Sequence, residues 1–333
     1  MSTYILFPLH FLSPVHFGDA SGGGGLDAVQ PIGRADTFFS ALCCEAARQG
    51  EMALQKLVEK TKQGDITFSD LLPWYKREGS YEWYVPKPVL SVPPQKTKEE
   101  TLQEARNNST FRKQAKKRAF IRTSEVSLYI DDLRYGENSL TEEPTFGTVV
   151  SQVHFNGRTR KPYSTGSYMM DGTAGLYSLI RFENEEDISW LKALVEMVGL
   201  SGIGGRKSSG MGHFVIDGTP IDLAEDSDNK DSSALYEMLE DTEAEEQMTL
   251  STLLPFAEEA EVAAKARGLW LRRSGLSWSQ GMEVPVKMHT LYMLSSGSCV
   301  DRRISGCIVD VSTPAVTHPV YRYGKGLYVG VPK

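Results

Sequence analysis

Residues 202–212 contain five glycines, and they constrain the fold more than any other segment of the chain. The segment reads GIGGRKSSGMG, with two cations and two hydroxyl side chains at its centre. It follows a stretch with helical apolar spacing, Asp187–Leu200, and precedes a strand-like run, His213–Ile216. Glycine accepts positive φ angles and lets another group approach its backbone closely. The segment therefore predicts a loop between a helix and a strand that is suited to a phosphodiester backbone.

Two other kinds of glycine loop are excluded by their motifs. A Walker A loop needs glycine directly before the lysine, whereas Arg206 precedes Lys207 here. A dinucleotide fingerprint lies between a strand and the start of a helix, which is the reverse of the predicted order. A flexible turn without a ligand stays open as an alternative.

The order of the predicted elements indicates an α+β fold. Apolar runs and periodicity predict a strand at Tyr4–Leu9, a helix from Asp36 to about Gln49, strands at Phe120–Ile130, Thr148–Phe155 and Leu176–Phe182, a helix at Asp187–Leu200 and a strand at His213–Ile216. This order matches the β-α-β-β-α-β ferredoxin-like unit. Residues 70–100 are rich in proline and aromatic residues and predict an extended excursion outside the core.

A length of 333 residues suggests two domains. We expect an N-terminal ferredoxin-like domain over 1–216 with insertions at about 65–175, then an acidic linker over 217–247. The strand-rich remainder, 248–333, predicts a second, modified ferredoxin-like domain.

Charge is segregated along the chain. From Asp217 to Glu261 there are 15 acidic residues and one lysine, so this block carries −14 and the rest of the chain +7. Basic residues cluster within 112–122, 158–161 and 206–207. Binding depends on the local field because salt screens distant patches. The distribution is compatible with a nucleic-acid partner, although solvated charged faces would look the same.

Four cysteines without a C-x-x-C pair indicate reduced thiols and no zinc site. The chain has neither an apolar run long enough to span a membrane nor a basic secretory start. We therefore expect a cytoplasmic protein with no metal, cofactor or membrane partner.

The pattern glycine–apolar–glycine, five residues, glycine–apolar–glycine resembles the hallmark loop of the RAMP superfamily of CRISPR-associated proteins. Gly202-Ile203-Gly204 and Gly210-Met211-Gly212 fit it without a gap. Further segments resemble the capping subunits of type III-A (Csm) effector complexes; they are residues 15–18, 33–42, 154–159, 175–177 and 318–326. The resemblance spans both ends of the chain but not the segments 70–120 and 217–247.

This resemblance implies a non-catalytic protein of two ferredoxin-like (RRM-like) domains. It implies that the chain grips the 5′ repeat-derived tag of the crRNA and docks both the large polymerase–cyclase subunit and the adjacent backbone subunit. It also implies a β-hairpin thumb that displaces a nucleotide of the guide–target duplex, and hence contacts target RNA near the guide 5′ end. The equivalent capping subunit of a type III-B complex stays open.

The candidate RNA-binding residues combine the loop, its expected neighbours and basic positions. They are His16, Phe17, Arg34, Arg158, Arg160, Lys161, Gly204, Gly205, Arg206, Lys207, Ser208, Ser209 and Arg322. His16 and Phe17 are expected to stack on or hydrogen-bond a tag nucleotide, the alternative being a histidine packed under the loop. Arg34 is expected to contact a phosphate, or to be a solvated arginine, and Asp36 to cap the following helix.

The expected thumb lies within 135–175. Its candidate residues are Phe146, His154, Phe155 and Asn156, which combine with nearby cations into the aromatic and basic mixture that splayed nucleotides favour. The alternative is a surface hairpin whose aromatic side chains pack on its own base.

Two enzymatic interpretations compete with the binding role. A metal-dependent ribonuclease would use Asp27, but a lone aspartate is a weak signal because such cleavage needs several convergent ligands. A metal-independent crRNA-processing ribonuclease would use His16 or His154 as general acid or base.

Overall fold

The computed structural model describes residues 2–18, 25–93, 117–135, 139–157, 159–277 and 283–332. The helices are α1 (Ala35–Gln49), α2 (Glu51–Gln63), α3 (Val126–Tyr135), α4 (Glu186–Ser201), α5 (Lys230–Glu240) and α6 (Ala260–Ala264). The strands of the N-terminal half are β1 (Thr3–Phe11), β2 (Phe17–Gly18), β3 (Val29–Gln30), β4 (Ile66–Phe68), β5 (Leu72–Arg77), β6 (Ser80–Pro86), β7 (Phe120–Arg122), β8 (Gly147–Phe155), β9 (Pro162–Met170), β10 (Ala174–Phe182), β11 (Phe214–Ile216) and β12 (Ile221–Asp222).

The strands of the C-terminal half are shorter. They are β13 (Glu246–Thr249), β14 (Trp270–Arg273), β15 (Leu276–Ser277), β16 (Val286–Lys287), β17 (Leu291–Leu294), β18 (Cys299–Val300), β19 (Val309–Asp310), β20 (Tyr321–Arg322) and β21 (Tyr328–Val331). Short 3₁₀ turns cover Thr123–Glu125, Lys207–Ser209 and Ala257–Glu259.

The central sheet is antiparallel, with strand order β11-β1-β10-β5-β6-β7. Strand β1 pairs along its length with β10, from Thr3 opposite Phe182 to Leu9 opposite Leu176. Strand β4 also pairs with β10, and β12 with β1. The sheet and its helices confirm the predicted α+β class, whereas the number of ferredoxin-like domains stays a prediction.

Both faces of the central sheet are buried, which explains why β1 is apolar without alternation. Ile5, Phe7 and Leu9 face a cluster built with the inner sides of α1, α2 and α4. Tyr4 and Leu6 point to the opposite face because successive strand residues alternate. That second cluster contains residues of α5 and of the C-terminal strands, so the two halves of the chain share one core.

Residues 66–86 form strands of the central sheet, so the expectation of an excursion outside the core was wrong there. These strands also lie inside the range 65–175 that we expected to be an insertion. Trp74 and Trp83 are almost fully buried, and their indole N–H groups donate to Leu176 O (3.1 Å) and Ser232 Oγ (2.9 Å). The aromatic residues therefore fill the core rather than line a loop.

Residues 217–247 include strand β12 and helix α5 rather than the expected acidic linker. The Asn229 side chain caps α5 by accepting from Asp231 N (2.9 Å) and Ser232 N (3.2 Å). Leu235 and Leu239 are buried in the second cluster. Because these apolar residues are four apart, one side of the helix reaches the core although the segment is acidic overall.

The predicted strand Phe120–Ile130 ends at Arg122 and continues as a 3₁₀ turn and α3. Val126, Tyr129 and Ile130 are buried at helical spacing, which the strand interpretation overlooked. In the C-terminal half, β13 lies between β18 and β21. Within the described ranges, no helix is long and apolar enough to cross a membrane.

Candidate functional site

The glycine loop connects α4 to β11 and is closed by its own two limbs. Ile203 N donates to Gly212 O (2.9 Å). Gly212 has φ +78°, and a Cβ there would lie 2.0 Å from Ile203 O. This glycine is therefore required both by its left-handed backbone and by the close approach of the opposite limb.

The loop packs directly on the segment after β1. Gly205 N donates to His16 O (2.8 Å), and a Cβ on Gly204 would lie 2.6 Å from that same oxygen. His16 is 9% exposed, and its Nδ1 lies 2.7 Å from Gly166 O. Phe17 is 5% exposed in the first core cluster. This geometry matches the alternative of a histidine packed under the loop, and it uses part of the loop's N–H groups inside the protein.

The four polar residues of the loop form its outer part. Arg206 has φ +62°, and its guanidinium carbon lies 6.0 Å from the centre of the Tyr163 ring in β9. Lys207 begins a 3₁₀ turn in which Ser208 and Ser209 are exposed. The predicted loop residues are thus available to a ligand, and the loop contacts the β8–β9 hairpin.

Beside the loop lies a groove of about 460 Å³. Three parts of the chain that are far apart in sequence line it. The first part is the segment after β1 with His16, together with the loop residues Gly204, Gly205 and Lys207 that pack on it. The second is the start of α1 with Arg34, Asp36 and Thr37, and the third is the C-terminal half with Arg273, Tyr321 and Arg322. Seven candidate residues line the groove, namely His16, Phe17, Arg34, Gly204, Gly205, Lys207 and Arg322. Arg206, Ser208 and Ser209 of the loop do not line it.

Arg34 lines the groove and is held by a buried carboxylate. Its Nη1 lies 3.0 Å from Asp70 Oδ2 and donates to Ser296 Oγ (3.1 Å). Asp70, which is fully buried, also accepts from Ala35 N (2.8 Å) and Thr252 N (2.9 Å). The carboxylate that accepts from the first N–H group of α1 is therefore that of Asp70. Through Thr252 it also links this helix to the C-terminal half.

Asp36 lies inside the first turn of α1, so the expectation that it caps the helix was wrong. It is fully buried and accepts from Arg273 Nε (2.9 Å) and Nη2 (2.8 Å), and also from Arg322 Nη1. Burial alone would raise the pKa of Asp36, but the two guanidinium groups outweigh it and hold the pKa well below its usual range. Two arginines on one carboxylate leave this wall of the groove positive.

Arg322, one of the candidate RNA-binding residues, is itself nearly buried. It is 8% exposed, and its Nε has no hydrogen-bond partner among the described residues. Arg273 and Asp70 were not predicted at all. Neither belongs to a local motif, since Arg273 stands between Arg272 and Ser274 and Asp70 stands between Ser69 and Leu71.

The β8–β9 hairpin pairs Gly147–Phe155 with Pro162–Met170. Phe155 near its tip is 70% exposed, and Arg160 and Lys161 are exposed in and after the turn. Asn156 Oδ1 accepts from Thr159 N (3.0 Å) within the turn. Arg158 lies outside the described residues.

Two of the aromatic residues expected in the thumb pack internally. His154 stacks on Tyr163 of the paired strand, with ring centres 5.6 Å apart. Phe146 is 7% exposed and contacts Tyr84 and Phe120 edge to face, at 5.0 and 6.0 Å. Phe146 belongs to the core before the hairpin starts, so its assignment to a nucleotide-facing surface was wrong.

The residues of the enzymatic alternatives are dispersed. Asp27 is exposed in the loop before β3, whereas His16 and His154 are engaged in the contacts described above. In the part of the chain that the structure describes, no group of three or more His, Cys, Asp or Glu side chains could hold a metal ion.

Comparisons with known proteins point to Csm4 proteins, both for the C-terminal part and over nearly the whole chain. The family model described as the CRISPR Csm4 C-terminal domain matches residues 242–331. The CRISPR system Cms protein Csm4 of Mycobacterium tuberculosis (strain H37Rv) is 28% identical over 324 residues, which cover 96% of this chain and 95% of that protein. The protein of the same name from Streptococcus thermophilus is 28% identical over 331 residues, 98% of each chain.

Two solved structures share the fold. A chain from the Csm3-Csm4 subcomplex of the type III-A CRISPR-Cas interference complex aligns with a TM-score of 0.59 and 17% identity, covering all of both chains. A chain from the Csm1-Csm4 cassette in complex with cA4 aligns with a TM-score of 0.57 and 18% identity, covering 100% of this chain and 98% of the other. Together with the C-terminal family match and the full-length relatives, these findings show that the chain is Csm4-like in sequence and in fold.

Proposed function

We propose that this chain is a guide-RNA-binding subunit of a type III-A CRISPR effector complex and that it holds the 5′ tag of the crRNA. The observation that carries the proposal is the positive groove beside the glycine loop. Lys207, Arg273 and Arg322 line it from two distant parts of the sequence. A ribose-phosphate strand is recognised chiefly through such cations and through close backbone approach.

The way in which the cations are held supports backbone capture over base reading. Arg34, Arg273 and Arg322 are each oriented by a buried carboxylate, so their guanidinium groups keep one geometry. Lys207, Ser208 and Ser209 on the loop add donors that can follow a flexible strand. We expect binding to be mostly sequence-independent, with base preference confined to the loop and the hairpin.

The β8–β9 hairpin is proposed as the thumb that displaces a nucleotide of the guide–target duplex. Phe155 has the exposure that a wedge or stacking residue needs, and Arg160 and Lys161 lie beside it in the turn. Arg206 over the Tyr163 ring joins the hairpin to the loop. The tag and the guide–target duplex would then contact adjoining surfaces of one protein.

Partner docking is proposed from the relatives and from one exposed surface. The structurally similar chains come from complexes titled Csm3-Csm4 and Csm1-Csm4, which supports a backbone subunit and a large subunit as partners. On the β14–β17 sheet, Trp270 and Tyr292 are 47% and 62% exposed on the same face. Large exposed aromatic side chains of this kind favour a protein contact.

The same proposal takes the fold as two ferredoxin-like domains without catalytic function. The order β11-β1-β10-β5, with α1, α2 and α4 on one face, supports the first domain. The sheet β18-β13-β21 supports a modified second domain.

The test is the double variant Arg206→Glu plus Lys207→Glu, assembled with its partner subunits. We expect weaker retention of an RNA with the constant 5′ tag, and a log–log salt dependence shallower by about two at most, because two phosphate contacts are lost. Lys192→Glu plus Lys230→Glu changes charge equally on distant helices and serves as the control.

Unchanged RNA affinity in the loop variant would contradict the proposal. Cleavage of the RNA by the wild-type chain, if abolished by Asp27→Ala and by EDTA, would favour the metal-dependent ribonuclease. Cleavage without metal that is lost in His16→Ala would favour the processing ribonuclease.

A further inference from the structure

A second polar cavity, separate from the groove, lies between the two halves of the chain. Its volume is about 260 Å³. Tyr4, Thr67 and Arg181 of the central sheet line one side, and Arg303, Lys325 and Tyr328 line the other. Three of these side chains are cations, and none of the described residues that line the cavity is acidic. We propose that this cavity binds a phosphate group.

The cations are held mainly by neutral acceptors. Arg303 donates to Gln247 Oε1 (2.7 Å), Leu239 O (3.1 Å) and Asp241 O (3.2 Å). Lys325 is 8% exposed and donates to Lys62 O (3.3 Å). Within the described ranges, neither has a carboxylate within ion-pair distance. Their charge is therefore oriented without a direct ion pair.

Arg181 is the third cation and the only one of the three with an ion pair among the described residues. Its Nη1 lies 3.2 Å from Glu183, and its Nη2 donates to Gly64 O (2.8 Å). Burial lowers the pKa of Lys325 and of Arg303. The Arg181 guanidinium adds a smaller lowering in both, whereas Glu259 raises the pKa of Lys325 and Asp241 raises that of Arg303. Arg181 thus repels each of the other two cations, and a bound anion would offset that cost.

Thr67 provides an independent observation. It is 3% exposed and lines the cavity, and its Oγ1 is buried without a hydrogen-bond partner among the described residues. A buried hydroxyl without a partner is unfavourable unless something binds it. A phosphate group has several acceptor oxygens, and anionic acceptors suit the donors of Thr67, Lys325 and Arg303 that line the cavity.

Phosphate could come from a free phosphomonoester or from a nucleic-acid strand. The test measures binding of inorganic phosphate, adenosine 5′-monophosphate and a six-nucleotide RNA without terminal phosphate to the full chain, by calorimetry and by the rise in melting temperature. We expect Lys325→Gln to weaken binding about tenfold, because a charged hydrogen-bond donor is lost. Thr67→Val should weaken it about fivefold without loss of folding. Lys192→Gln is the control.

Lys325-dependent binding of inorganic phosphate and the nucleotide supports the cavity with a free phosphomonoester as its ligand. Lys325-dependent binding of the RNA alone supports the cavity with a strand phosphate as its ligand. If Lys325→Gln and Thr67→Val leave binding of all three probes unchanged, the inference is overturned. Tag binding through Arg206 and Lys207 is measured separately, so either proposal can fail without the other.

Discussion

The groove beside the glycine loop and the β8–β9 hairpin both carry cations, but they hold them in opposite ways. In the groove, Arg34 and Arg273 are bound to the buried carboxylates of Asp70 and Asp36. At the hairpin turn, Arg160 and Lys161 extend into solvent. A groove arginine is therefore part of the fold as well as of the site. Substitution there changes stability and binding together, whereas substitution on the hairpin tests binding alone.

The largest expected effect comes from breaking the groove's central ion pair. Asp36→Asn leaves Arg273 and Arg322 without an anionic partner in a buried site. We expect the free energy of unfolding, measured by urea denaturation at pH 7, to fall by about 3–5 kcal/mol. Asp131→Asn removes the exposed pair with Arg134 and is the matched control, for which we expect about 1 kcal/mol or less.

The pH dependence of this difference follows from the lowered pKa of Asp36. A carboxylate with a lowered pKa in the folded state stabilises fully above its ordinary value of about 4. Its contribution is lost as the pH falls below that value. We therefore expect the advantage of the wild type over Asp36→Asn to be constant from pH 7 to about pH 5 and to shrink in more acidic buffer. A constant advantage down to pH 2 would contradict this.

A second prediction separates crowding from backbone strain in the glycine loop. Gly212 and Gly210 have nearly equal φ angles, +78° and +79°. A Cβ at Gly212 would lie 2.0 Å from Ile203 O, but a Cβ at Gly210 meets nothing within 4 Å. We expect Gly212→Ala to lower the free energy of unfolding by about 3 kcal/mol and Gly210→Ala to lower it by about 1 kcal/mol. Thermal denaturation measures both losses. Equal losses would mean that the two limbs are not closely packed.

The smallest expected effect on stability is at the hairpin tip. Phe155→Ala should change the free energy of unfolding by about 0.5 kcal/mol or less, because its side chain is 70% exposed. Phe146→Ala, in the core just before β8, should cost about 3 kcal/mol, because that ring is buried between Tyr84 and Phe120.

The thumb role can be read from the same variant. If Phe155 unstacks a nucleotide, Phe155→Ala should reduce the fluorescence of 2-aminopurine at the displaced target position in the assembled complex. Unchanged fluorescence would contradict the thumb role, and the hairpin would then be a surface feature without a nucleotide contact.

Local pattern was sufficient for a large part of the fold. The apolar run of β1, the helical period of α4 and the strand β10 were all predicted close to their observed bounds. The predictions from pattern failed where contacts with distant parts of the chain bury the residues. Trp74 and Trp83 looked like part of a surface excursion, yet they fill the core. Leu235 and Leu239 lay hidden in an acidic segment, yet they anchor α5.

The candidate site divides in the same way. The glycine loop and its cations could be found from sequence because the contacts that close the loop lie within eleven residues. Arg273 and Asp70 could not be found, because each acquires its role from residues far along the chain. The nearest partner of Arg273 is Asp36, 237 positions away.

By itself, the sequence determined the α+β class, the loop between α4 and β11 and the positive charge at that loop, because each depends on neighbouring residues and on glycine's backbone freedom. Tertiary structure alone decided which charges face the groove and which are buried in ion pairs. It also decided that an acidic segment contributes to the core. Those outcomes depend on the desolvation of side chains by distant parts of the chain, and that desolvation has no local signature.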